Sequence, residues 1–184
     1  YAIPTGRTRP LVLDMAMSTA ANGRIAIMQR LGQELPQGWA LDKVGQPTTS
    51  PADFFDDGAG APIGGPKGIG LAQVVDVVAG VLSGSGYGPS VGRADGTSGT
   101  IGHTFQAIDV ESFMPVERFY TRITDQIQHF HESSVAEEVD EIVVPGELEW
   151  RAYENSIAHG IPLIEPIITD LNEVAKRKHM ADRL

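Results

Sequence analysis

Apolar positions recur with different periods along this chain, and the period predicts the elements. Between Val116 and His131 they stand at Phe119, Ile123, Ile127 and Phe130, one stripe of an amphipathic helix that starts after Pro115. Pro10-Leu11-Val12-Leu13-Asp14-Met15 is a short apolar run behind a turn residue, which is the pattern of a buried strand. His103 to Asp109 alternates as a half-buried strand does, and Glu141-Ile142-Val143-Val144 predicts another, closed by Pro145-Gly146. Ser18 or Thr19 is placed to cap a helix that runs to about Leu31, where Gly32 ends it. Two helices close the chain, near residues 147–158 and 166–180. Residues 33–66 are rich in proline and glycine and predict one long loop; 83–102 predict a second, rich in Gly and Ser. The stretch 69–82 is apolar nearly all round, so it predicts a helix buried on every side. Asp76 is its exception, a carboxylate that burial obliges to find hydrogen-bond partners.

This order mixes α and β without strict βαβ repetition, so the expected class is α/β of the α+β type rather than a doubly wound parallel sheet. At 184 residues, with 41% hydrophobic and 21% charged residues, the chain is long enough for a real core and has a globular composition. A net charge of -10 argues against nucleic acid as a partner, since phosphate backbones are bound through clustered Lys and Arg. The one basic triplet, Lys176-Arg177-Lys178, reads as the solvated end of a last helix, where cations complement the dipole. No stretch reaches the ~20 apolar residues of a membrane span. The absence of cysteine removes disulfides, thiolate catalysis and zinc–thiolate sites, and agrees with a cytoplasmic location.

The densest candidate chemistry is Gly64-Gly65-Pro66-Lys67-Gly68-Ile69-Gly70, running straight into the apolar helix. Glycines let backbone amides approach an anion, and the helix points its positive end at the same place. The stretch fits neither common nucleotide fingerprint: Gly68 follows the lysine where a Walker loop needs Ser or Thr, and Gln73 stands where a dinucleotide fold needs its third glycine. Two readings follow from the residues, a phosphate cradle and a flexible loop ahead of a core helix. His129 and His131 diverge on a helix, which disfavours a shared metal. His159 precedes Gly160 at a helix end and suits a structural role against the dipole. No Ser/His/carboxylate set has local support.

Three segments resemble, in order, one family's signature. They are Leu13-Asp14-Met15-Ala16-Met17-Ser18; Gly38-Trp39-Ala40-Leu41-Asp42 with Gly45-Gln46-Pro47-Thr48-Thr49; and Pro62-Ile63-Gly64-Gly65-Pro66-Lys67-Gly68-Ile69-Gly70. Val144-Pro145-Gly146-Glu147-x-Glu149-Trp150 and Gly160-Ile161-Pro162-Leu163 look like its C-terminal landmarks. The family is that of the non-Rossmann malate/L-lactate dehydrogenases, with ureidoglycolate and sulfolactate dehydrogenases, diketogulonate reductase and the cyclic imino acid reductases. The chain has Met17 where the family commonly has threonine, and Pro66 where it has His or Tyr; Pro66 removes one backbone donor from the cradle.

The resemblance implies an NAD(P)-dependent oxidoreductase acting on 2-hydroxy or 2-oxo carboxylates, dimeric, with a non-Rossmann cofactor fold on a mainly antiparallel mixed sheet and flanking helices. By that similarity Asp14, Met15 and Ala16 line the NAD or NADP cofactor, and Lys67 meets its phosphates. The Pro145-Gly146-Glu147 turn is a further cofactor contact, with Glu147 accepting from a ribose hydroxyl. Gly38 and Asp42 belong to a loop that reaches the substrate, and Asp42 transfers a proton or orients the donor. No metal is implied. The family's acid/base histidine and carboxylate-binding arginine belong to its N-terminal half, and no matching segment stands among these residues. The expectation is therefore a C-terminal portion: residues 1–145 part of the NAD(P)-binding domain, 146–184 a helical segment packing on an N-terminal portion. Its partner is then that portion or a second copy. The other reading is a binding or interaction module that keeps the fold and lacks the chemistry.

Overall fold

A computed structural model describes residues 1–6, 8–91 and 100–180. The chain divides into two compact units, one of Tyr1–Asp14 with Asp109–Leu184 and the other of Met15–Ile108.

In the first unit β1 (Ala2–Ile3) pairs antiparallel with β2 (Leu11–Val12), in the register Ala2 with Val12 and Ile3 with Leu11. The pairing continues past the strand ends, where Leu13 donates its N–H to the Tyr1 carbonyl at 2.8 Å. The apolar run from Pro10 thus becomes a strand, though a short one. Helix α4 (Val116–His131) has the bounds its periodicity predicts, with Ile123 buried on the expected stripe. Phe130, on the same stripe, is half exposed. Helices α5 (Glu147–His159) and α6 (Glu165–Arg177) follow, and Lys176 and Arg177 stand in the last turn of α6 as expected. The strand expected at Glu141–Val144 does not form. The Val144 N–H is spent on the Glu147 carboxylate at 2.9 Å, so it is not offered to a ladder.

The second unit corrects the long-loop expectation for residues 33–66. That stretch holds β3 (Ala40–Leu41), β4 (Pro47–Thr48), the short helix α2 (Pro51–Phe55) and β5 (Ala59–Gly60). The three strands form an antiparallel sheet in the order β4-β3-β5. Prolines are accommodated where they cost no ladder bond: Pro47 on an edge strand, Pro51 in the first turn of α2, whose Ser50 side chain accepts from the Asp53 N–H. Ser18 and Thr19 do not cap a helix. Thr19 N–H donates to the Ala61 carbonyl at 2.7 Å, Ile63 N–H to that of Met17 at 3.0 Å, and Ser18 bridges Pro62 antiparallel. The helix, α1 (Asn22–Arg30), therefore starts later, after Ala21. It ends as predicted at Gly32, whose φ of 63° lets the Gln33 N–H reach back to the Met28 carbonyl at 2.9 Å. Ala20, Ile25, Leu35 and Ala40 make the buried core here, with Met28, Trp39 and Phe54 packed against them.

Helix α3 (Pro66–Asp76) continues through a π-helical turn at Val77–Val81. Burial on every side is not observed: Val74 is 60% and Leu82 75% exposed, and most apolar neighbours between them are likewise open. The sequence is right for a core helix, but among the described residues nothing covers most of its apolar positions. Asp76 finds the partner it was expected to need, accepting the Gly88 N–H at 3.1 Å to each oxygen. His103–Asp109 is not a strand; Phe105 is 93% exposed and no described strand pairs with it. Alternation marks a segment fit for a sheet, but a strand exists only where a partner accepts its ladder. Of the expected Gly/Ser-rich loop, residues 92–99 lie outside the described residues.

Among the described residues every strand pairing is antiparallel and helices flank the sheets, which is the α+β architecture expected.

Candidate functional site

The predicted cofactor and substrate residues fall in both units. In the second unit, Met15 and Ala16 lead directly into the 17–19 segment that pairs with 61–63. The paired segment 61–63 in turn delivers the chain to Gly64 and Gly65, with φ of 57° and 60°. The segment that follows Met15 and Ala16 is therefore tied by backbone hydrogen bonds to the segment that leads into α3. Both glycines face open space, so a positive φ is what each contributes, together with room for a ligand. Gly68 differs. A Cβ there would overlap the Ile63 carbonyl oxygen, so this glycine serves the packing of 61–63 against α3 and not access for an anion.

Lys67 stands exposed in the first turn of α3, and no side chain caps that turn. Pro66 supplies no N–H, while the Ile69 N–H already returns to Gly65 at 3.2 Å. What the helix start offers a ligand is the Lys67 ammonium, two open glycines and the positive end of an uncapped 11-residue helix. That donor set is chemically matched to a phosphate, so these residues fit a dinucleotide's charged portion.

Gly38 has φ 79° and open space around it, two residues before β3. Asp42 ends β3 and organises the β3–β4 hairpin. Its Oδ1 accepts from Val44 N–H at 3.0 Å and Gln46 N–H at 2.8 Å, and Gly45 supplies the positive φ of 81° that the loop needs. Next to it Lys43 meets Asp56 at 2.8 Å. That hydrogen bond holds the Lys43 ammonium pKa above its ordinary value and the Asp56 carboxyl below. Trp39 is overlaid by the Arg24 guanidinium, 5.0 Å from the ring centroid, which fixes the approach to the hairpin.

In the first unit, Pro145 accepts the Val12 N–H at 3.0 Å, so the Pro145-Gly146 turn lies against β2, two residues before Asp14. Gly146 has φ 97°, and a Cβ there would stand 3.1 Å from Val12 N, so conformation and close approach both ask for glycine. The Glu147 carboxylate closes the turn. It accepts from Val144 N–H, and its Oε1 lies 2.9 Å from His131 Nε2 on α4. Beside the turn opens a cleft of about 500 Å³, lined among others by Arg9, His131, Pro145, Glu147, Trp150 and Arg151. Arg9 stacks over Trp150 at 4.3 Å and pairs with Glu154; Arg151 forks onto Glu141 and holds that carboxyl below its ordinary range.

His131 and Arg9 escaped the sequence reading. The sequence pairs His131 only with His129, whereas in the structure it meets Glu147, and His129 lies 3.6 Å from Asp125. No local signal announces a pair made between two helices. Among the described residues no group of three or more His, Asp or Glu is placed to hold a metal ion.

The family model described as malate/L-lactate dehydrogenase matches residues 1–172. A malate dehydrogenase of Pyrococcus horikoshii is 34% identical over 183 residues, covering 96% of this chain and 51% of the relative. A Delta(1)-pyrroline-2-carboxylate reductase of Ancylobacter novellus is 33% identical, over 95% of this chain and 50% of its own length. The solved structure of the P. horikoshii malate dehydrogenase superposes with a TM-score of 0.76 at 30% identity, over 100% of this chain and 51% of that one. The chain spans about half the length of the curated relatives it matches.

Proposed function

Since this chain belongs to the malate/L-lactate dehydrogenase family, we propose that it supplies the C-terminal portion of an NAD(P)-dependent oxidoreductase interconverting 2-hydroxy and 2-oxo carboxylates. The observation that carries the reading is the start of α3, where Lys67 and an uncapped helix end meet two open glycines within the family match. Lys67 and this helix start hold the cofactor phosphates. Asp14, Met15, Ala16 and the Pro145-Gly146-Glu147 turn line the rest. When bound, the nicotinamide supplies or takes the hydride. Gly38 lets the chain reach the substrate, and Asp42 holds or orients the proton that the carbonyl oxygen requires. Residues 1–145 form part of the cofactor domain, and 146–184 pack on an N-terminal portion or sit within a homodimer. The exposed apolar length of α3 is a separate surface that such a portion or a second copy would cover. Among the described residues no helix is long and apolar enough to cross a membrane.

The test is Lys67→Ala in the full-length protein, followed by fluorescence titration with NADH and NADPH. Binding should weaken roughly 10-fold or more, as expected for loss of a charge-assisted contact. Unchanged binding of both would remove the α3 start from the cofactor site. The reading as a binding module without chemistry is decided by the same protein: turnover of a 2-oxo acid with NAD(P)H excludes it.

A further inference from the structure

We propose that Glu147 serves the cofactor turn as a positioning residue through His131, rather than by accepting a hydrogen bond from the cofactor itself. The inference rests on the reading of Pro145-Gly146-Glu147 as a cofactor contact.

Both carboxylate oxygens of Glu147 are engaged inside the protein. Oε2 accepts the Val144 N–H at 2.9 Å and lies 3.1 Å from His131 Nε2, while Oε1 lies 2.9 Å from the same nitrogen. The side chain is also the least exposed of that pair, 28% against 41% for His131. The lone pairs directed at Val144 and His131 are taken, so a ribose hydroxyl would have to use the remaining directions of a side chain whose orientation those two contacts already set.

What the carboxylate does hold is the backbone around the turn. Val144 is 8% exposed, and its N–H would otherwise be left without a partner at the end of an unpaired segment. The turn is held on its other sides as well: Val12 donates to the Pro145 carbonyl, Trp150 N–H to that of Gly146 at 3.0 Å, and Glu147 N–H to that of Val144 at 3.2 Å. Only the Glu147–His131 link among these joins the turn to α4. His131 is the last residue of that helix, where an imidazole also complements the dipole. The pair thus sets how the turn between β2 and α5 sits against α4, and with it the lining of the adjoining cleft, to which His131, Pro145 and Glu147 all belong.

The experiment uses the full-length protein, with NADH and NADPH as fluorescence probes and thermal unfolding and the KM for the 2-oxo acid as controls. His131→Ala should raise the dinucleotide Kd roughly 10-fold, and Glu147→Ala at least as much, since it also leaves the Val144 N–H without its acceptor. The double variant should be little worse than Glu147→Ala alone, because the His131 link is then being removed twice. His131→Gln, whose amide nitrogen can stand near the Nε2 position, should restore most of the affinity. Glu147→Gln keeps one acceptor and guards against loss of folding in the alanine variants. A large loss in Glu147→Ala with none in His131→Ala would show that Glu147 does not act through His131 and overturn the proposal. So would unchanged affinity in both. Lys67→Ala separates the two ideas: if it weakens binding while the His131 and Glu147 variants do not, the cofactor site stands and the positioning role falls.

Discussion

Gly68 packs so tightly against Ile63 that a Cβ on it would overlap the Ile63 carbonyl oxygen. Gly70, two residues on in the same helix, has nothing within 4 Å of a Cβ. In the 184-residue chain Gly68→Ala should therefore destabilise the fold by about 1–3 kcal/mol through forced backbone displacement. Gly70→Ala should leave stability unchanged or raise it by up to about 1 kcal/mol, since alanine is the better helix former. Urea midpoints of the two variants measure the difference, and equal midpoints would contradict the packing described.

Asp42 carries two demands that one substitution separates. Asp42→Asn keeps the Oδ1 acceptor for Val44 and Gln46 and so keeps the hairpin, while it removes the charge and the basicity. If the carboxylate assists proton transfer, kcat in the full-length enzyme should fall roughly 10²-fold or more with the dinucleotide Kd nearly unchanged. Wild-type kcat would leave Asp42 as a hairpin former alone.

The fork of Arg151 onto Glu141 makes acid sensitivity testable. Because the guanidinium holds the Glu141 carboxyl below its ordinary value, the native state binds a proton there less readily than the unfolded chain. Its contribution is thus present above the unfolded pKa of about 4.3 and is lost as pH falls through the depressed folded value. Glu141→Gln should lower the urea midpoint slightly at pH 7 and leave it nearly equal to wild type at pH 3. The effect is small because both side chains are more than half exposed. A difference that persists undiminished at pH 3 would assign the loss to another cause.

The open apolar length from Ile69 to Leu82 predicts the behaviour of the 184-residue chain made by itself. It should bind a hydrophobic dye strongly and show no turnover of pyruvate, oxaloacetate or a cyclic imine with NAD(P)H. The full-length protein should bind far less dye per chain. Turnover by the chain alone above a no-enzyme control would show that its own residues, Asp42 among them, suffice for the proton transfer.

Local pattern was enough for elements whose cause is local. The α4 helix follows from a repeating stripe with a proline before it, and α1 stops where Gly32 can turn left-handed. The ordered motifs around Asp14, Asp42, Lys67 and Pro145 were likewise legible as one family's signature, because they are short runs of adjacent residues. The β3–β4–β5 sheet was not: each strand has two residues, too few for alternation to register, and prolines masked them. Conversely His103–Asp109 alternates but forms no strand, since period describes one chain segment and a ladder needs two. Whether a glycine frees the backbone for a ligand or yields room to a carbonyl separates Gly65 from Gly68, and only the neighbour's position decides it. The His131–Glu147 pair belongs to the same class. Sequence determines what each side chain can donate or accept, whereas hydrogen bonds act over about 3 Å, so the partner is chosen only when folding brings distant residues within that reach.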